Sequence, residues 1–168
     1  TLIEMMVVVA ILSILAMVAL PSFQPMIANS RIVANTNDIV ADLALARSEA
    51  AKRGGTTVVT VCASTDGSSC SGATDWAGGR LVFVDGSTQG SVDGTDSTRI
   101  LRVSGASSLA ITSSGFSTVG FLSYSADGSI SSTLPGTFTI CKSGLIGRVV
   151  SVSAIGRTSL AATAAACA

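Results

Sequence analysis

The segment TLIEMMVVVAILSILAMVALP, residues 1–21, constrains this chain more than any other stretch. Met5 to Leu20 is a run of sixteen residues without a charge, and Glu4 stands directly before it. As a helix the run covers about 24 Å at about 1.5 Å per residue, against about 30 Å of bilayer hydrocarbon. It is short for a comfortable span, although Leu2 and Ile3 lengthen it. A secretory signal carries basic residues ahead of its apolar run and a small-residue cleavage site behind it. Here no basic residue precedes the run, and Pro21 follows it. The segment therefore reads either as a piece of a signal peptide or as the start of an already processed protein. Glu4 has two readings as well. It reaches water at an interface, or it finds a cation inside an apolar assembly, where an unpaired charge costs a few kcal/mol or more. The nearest cation of that kind is the α-amine of a neighbouring chain, which pairs only if neighbours are staggered to bring it to the fourth residue.

Pro21 and Pro25 predict a kink or a locally melted turn, because proline costs about 3 kcal/mol in a helix interior. The helical pattern then resumes: Ile32, Ile39, Leu43, Ala46 and Ala50 share one face. Arg31, Asp38, Asp42, Glu49 and Arg53 lie off that stripe. Glu49 and Arg53 stand four apart in the favoured order, Lys52 and Arg53 suit the negative end of the helix dipole, and Gly54–Gly55 ends the helix. One long, bent helix of about 50 residues results, on the order of 75 Å long.

From Thr56 the texture turns to Ser, Thr, Gly and Val. Strand-like runs recur at 56–62, 80–85, 98–104, 109–113, 120–125, 136–141, 147–154 and 156–160. Asp66–Gly67, Asp93–Gly94 and Asp127–Gly128 mark turns between them, and the Ser/Gly-rich segment 86–97 reads as a mobile loop. The class is α+β: a long N-terminal helix whose second half packs on one antiparallel sheet. The expected divisions are a hydrophobic membrane or filament-core helix at 1–25, an amphipathic continuation at 26–55, and a β-rich head at 56–168.

The chain has no histidine and four cysteines, Cys62, Cys70, Cys141 and Cys167. An even count without CxxC spacing argues for disulfides in an oxidising compartment rather than zinc. Three pairings are possible. Proximity favours Cys62–Cys70, which leaves Cys141–Cys167 to tie down the C-terminus; free buried thiols are the alternative. Without histidine or a plausible carboxylate pair, an abundant serine lacks its base, so an enzyme is not expected. The formal net charge is zero, which gives no global pull toward nucleic acid or anionic lipid.

The order TLIE, apolar run, proline closely resembles the N-terminus of mature type IV pilins and type II secretion pseudopilins. Their processed ends read Phe-Thr-Leu-Ile-Glu. Glu4 falls on the family's glutamate and Pro21 on its helix-breaking proline. The leading Phe is missing here: either an N-methylated residue precedes Thr1, or Thr1 is itself first. Ser13 stands where many pilins have glycine. DLALARSEAAKRG (42–54), VTVCAS (59–64), DGSSC (66–70), TDW (74–76), LVFVD (81–85), GTFTIC (136–141) and Gly156–Arg157 resemble the GspH/FimT-type branch, over nearly the whole chain.

That resemblance implies the pilin fold, with a local first disulfide and a second tying the C-terminus. It implies a structural subunit of an extracellular filament, drawn from an inner-membrane pool by a pilus or type II secretion assembly machinery. Its partners are other copies or other pilins, and the filament is a surface pilus or a periplasmic pseudopilus. The assembly residues are Glu4, Thr1 and Pro21, with Glu4 pairing with a neighbour's amine and Pro21 letting the helix melt and stretch. Members of this branch are usually minor, tip-type subunits; a major repeating subunit is the alternative.

A DNA- or surface-binding tip module is a further alternative, because some members bind DNA through Gly-Arg-x-Arg. Gly156–Arg157 is followed by Thr158 and Ser159, so the second arginine is absent. Lys142, Arg148 and Arg157 could still form a small basic patch, or simply solvate strand ends; phosphate binding needs several such charges. Asp85, Asp93 and Asp96 are a weak calcium candidate without EF-hand spacing. No cofactor is expected. Trp76, beside Asp75, reads as a core or loop anchor rather than a sugar platform.

Overall fold

The computed structural model describes residues 1–86, 88–93, 99–116, 120–131, 134–161 and 167, except for the side chains of 18–22. The backbone of α1 (Leu2–Arg53) is helical throughout its 52 residues. The melted turn anticipated at Pro21 and Pro25 is not a feature of this backbone. Each proline removes only one donor from a long ladder whose flanking turns stay bonded. At the other end Gly54, at φ 66°, donates its N–H to Ala50 O at 3.1 Å, the left-handed stop expected of Gly-Gly.

Among the described residues eight strands follow: β1 (Val58–Ala63), β2 (Arg80–Asp85), β3 (Ile100–Ser104), β4 (Ala110–Ser114), β5 (Phe121–Tyr124), β6 (Gly136–Cys141), β7 (Arg148–Val152) and β8 (Thr158–Leu160). They form two four-stranded antiparallel sheets, not the single sheet expected. Sheet A runs β3-β2-β1-β5 and sheet B runs β4-β6-β7-β8. Eight strands side by side, at about 4.8 Å spacing, would far exceed the breadth of one helix about 10 Å across. Dividing them lets a single helical stripe contact the inner faces of both.

The chain forms two compact units, Thr1–Arg31 and Ile32–Ala168. In the second, the predicted stripe Ile32, Ile39, Leu43, Ala46 and Ala50 is almost fully buried. It shares one core with Val59, Val61 and Val82 of sheet A and Phe138, Ile140 and Val150 of sheet B. Thr36 lies in the same stripe and stays satisfied by donating its hydroxyl to Ile32 O at 2.7 Å. Trp76 is a core anchor: its ring meets Phe138 edge-on at 4.8 Å, and its Nε1 donates to Ser113 Oγ at 3.0 Å.

Sheet A is covered on both faces. Cys62, Leu81 and Phe83 form a second cluster opposite the helix, with Cys70, Val92, Ile100 and Phe121 packed against it. That is why β1 and β2 read as continuous apolar runs. In sheet B, β4 alternates between buried and exposed residues and β6 between buried and half-buried ones, which leaves one side partly open to solvent.

One expectation about α1 is corrected. Asp42, placed off the apolar stripe, is fully buried. Its Oδ2 accepts from Arg80 Nε at 2.8 Å and from Ser104 Oγ at 3.1 Å, while Oδ1 lies 3.1 Å from Arg102 Nε. The carboxylate tolerates burial because two guanidinium groups and a hydroxyl replace its water.

Candidate functional site

In the first unit the apolar residues face outward. Leu2, Met5, Val9, Leu12 and Met17 are all exposed, each by half or more. Water tolerates such a continuous apolar surface poorly, so it marks a contact face. Glu4 and the Thr1 amine lie 2.5 Å apart within the same chain, with both groups about three-quarters exposed. Nothing buries the Glu4 carboxylate in the lone chain. Ser13 donates its hydroxyl to Val9 O at 2.8 Å and so adds no unpaired polar group to this face. The side chain of Pro21 lies outside the described residues. Among the described residues no helix is long and apolar enough to cross a membrane. The run Met5–Leu20 passes into the residues whose side chains are not described.

In the second unit the cysteines pair as Cys62–Cys70 and Cys141–Cys167. The first closes a hairpin loop organised by Asp66. Its carboxylate accepts from the N–H groups of Ser68 and Ser69, each at 2.9 Å, and from Ser69 Oγ at 2.7 Å. These bonds, Ser68 N–H foremost, hold the carboxyl well below the usual carboxylate range. The second disulfide joins the last residue of β6 to Cys167.

The basic residues fall at two ends of β7. Arg148 begins β7 and lies opposite Ile140, with Lys142 two residues further on. Arg157 immediately precedes Thr158, which pairs with Val152 at the far end of β7. Four residues of strand separate the two ends, about 13 Å. Gly156 has a structural reason of its own. At φ 72° it packs so closely that an added Cβ would collide with Gly128 O and the Tyr124 ring. Gly156 is thus accounted for by turn packing.

Asp85 is also engaged structurally. Its Oδ2 accepts from Thr60 Oγ1 at 2.5 Å and from Gly90 N–H at 2.8 Å. Among the described residues no three His, Cys, Asp or Glu side chains are placed to hold a metal ion, and Asp96 lies outside those residues.

The family model described as Type II transport protein GspH matches residues 35–156, from the second half of α1 to the turn before β8. The chain belongs to the GspH family. Two crystal forms of the type IV minor pilin FimU from Pseudomonas aeruginosa share its fold at 26% identity. One aligns with a TM-score of 0.59 over 82% of this chain and 96% of FimU. The other gives 0.61 over 84% and 97%. No curated protein sequence matches the chain.

As a GspH-family protein the chain is a structural, pilus-like subunit and not an enzyme. The family implies assembly with other pilins into a filament. Sequence reasoning found the exposed helix face and both disulfides. It missed Asp42, Arg80 and Arg102. An acidic residue inside DLALAR, between Leu43 and Ile39, was the available signal, since neighbours three and one residues away are both buried.

Proposed function

We propose that the chain is a minor, tip-type subunit of a type IV pilus-like filament, held in the inner membrane before assembly. The observation that carries this reading is the likeness to FimU, a type IV minor pilin, across nearly all of that protein. In assembly the exposed face from Leu2 to Met17 packs against neighbouring helices, and the head faces outward. Glu4 pairs with the N-terminal amine of an adjacent subunit, which sets the stagger between them. Pro21, one hydrogen bond short, is where the helix melts when the filament elongates.

Copy number tests the reading. Quantitative mass spectrometry of sheared filaments should find the chain in trace against an abundant pilin. If it makes up most of the filament, it is the major repeating subunit instead.

The description of the matching family model favours a second reading, a pseudopilus of type II secretion. Deleting the gene separates the two. Loss of surface filaments supports the pilus, whereas exoproteins stranded in the periplasm support the pseudopilus.

A further inference from the structure

Asp42 and Arg47 flank the buried stripe of α1 on opposite sides. Five residues at about 100° each set the two side chains about 140° apart around the helix, with Leu43 and Ala46 between them. Asp42 reaches β2 and β3: Arg80 Nε donates to its Oδ2 at 2.8 Å, and Arg102 Nε lies 3.1 Å from its Oδ1. Arg47 reaches the opposite margin of sheet A, where β5 is the last strand, and the end of sheet B. Its Nε donates to Gly128 O at 3.0 Å, after β5, and its Nη2 donates to Ile155 O at 3.1 Å, before β8. Ile130 N–H donates to Ala154 O at 3.1 Å and ties these two turns to each other. Gly128 leaves room for the guanidinium, since an added Cβ would lie 3.0 Å from Arg47 Nε.

The stripe between these two residues opposes sliding weakly. Its contacts are apolar and non-directional. It also tapers: Ile32, Ile39 and Leu43 lie toward the N-terminal end, and Ala46 and Ala50 follow. Drawing α1 toward its N-terminus moves Ala46 and Ala50 toward the wider spaces of Ile39 and Leu43, which offers little steric opposition. The polar contacts behave differently. A hydrogen bond is lost within about 1 Å of stretch. Displacing Asp42 also strips the buried Arg80 of its carboxylate, which is costly inside a protein.

We propose that Asp42 and Arg47 are shear pins that set the force at which α1 is drawn lengthwise from the head. Each pin holds one flank of the helix, so neither a slide nor a roll satisfies both. A buried ion pair adds little net stability over an apolar replacement, yet its geometry is satisfied in one alignment only. In a filament the load enters through the Leu2–Met17 face, and that direction of pull rests on the pilus-subunit reading.

Optical tweezers test the pins on the full chain in detergent, with handles ligated to its two termini. At one loading rate, Arg47→Met should release α1 at about half the wild-type force. Asp42→Leu combined with Arg80→Leu should show the same loss. Leu43→Ala removes apolar packing instead; it should cost more equilibrium stability than Arg47→Met and yet lower the release force by less. If the leucine pair does not fold, Arg47→Met and Leu43→Ala decide, since Arg47 is exposed. Wild-type force in Arg47→Met, or a greater loss in Leu43→Ala, overturns the pins while leaving the filament reading intact. A wild-type chain missing from every filament overturns that reading and leaves the force measurement standing.

Discussion

Arg80 Nε donates to Asp42 Oδ2 at 2.8 Å, and neither side chain reaches solvent. This contact joins the second half of α1 to β2, and Arg102 extends it to β3. Removing one member leaves the other charged and buried. Arg80→Leu should therefore destabilise the head by about 3–5 kcal/mol, read from denaturant unfolding of the detergent-solubilised chain. Replacing Asp42 and Arg80 together by leucine should cost less than the sum of the two single changes.

The two disulfides should contribute unequally. They close loops with sequence separations of 8 and 26 residues. On a chain-entropy account these are worth about 2.5 and about 3.5 kcal/mol. Serine at Cys141 and Cys167 should thus lower the denaturation midpoint more than serine at Cys62 and Cys70.

Gly156→Ala should lower stability by about 1–3 kcal/mol, because the added methyl meets Gly128 O and φ is positive. Arg157→Ala should change stability by less than about 0.5 kcal/mol, since its side chain is exposed. Thermal unfolding of both variants checks the contrast. A large effect at Arg157 with none at Gly156 would reverse the account of this turn.

Burial pushes the Tyr124 phenol up from 10.0 to about 12. The unfolded chain then ionises first as pH rises. This contribution is complete below pH 10 and is lost between pH 10 and about 12, on the order of 2–3 kcal/mol. Tyr124→Phe should remove that alkaline slope and leave stability at neutral pH nearly unchanged, because the hydroxyl has no partner among the described residues to lose. At the acid end Asp66 works the other way. Its depressed carboxyl stabilises the fold above its usual 3.8, and that support is lost as pH falls through the lower folded value.

Glu4→Gln should leave the head's unfolding curve unchanged and reduce incorporation into filaments about tenfold, as quantified in sheared preparations. Normal incorporation of the glutamine variant would count against a register role for this carboxylate.

Much of the head was legible in the sequence because its signals are local. All eight strand-like runs became strands, and the stripe from Ile32 to Ala50 became the buried helix face. What stayed hidden depends on contacts between residues far apart in the chain. Asp42 sits among apolar neighbours, but nothing near it in the sequence names its partners Arg80 and Arg102, 38 and 60 positions away. The division into two sheets was equally opaque, since alternation reveals a strand but not which strand it pairs with. How Lys142, Arg148 and Arg157 distribute between the two ends of β7 was likewise hidden until its register was known.

The Cys141–Cys167 bond encloses β7 and β8 in a covalent ring. A protease that cuts once between those cysteines releases nothing, because the severed ends stay bound through sulfur. Tension entering along α1 likewise cannot unthread the final strands past that closure. For a pilus-like subunit, this gives the last part of the head a resistance to nicking and pulling that packing alone does not supply.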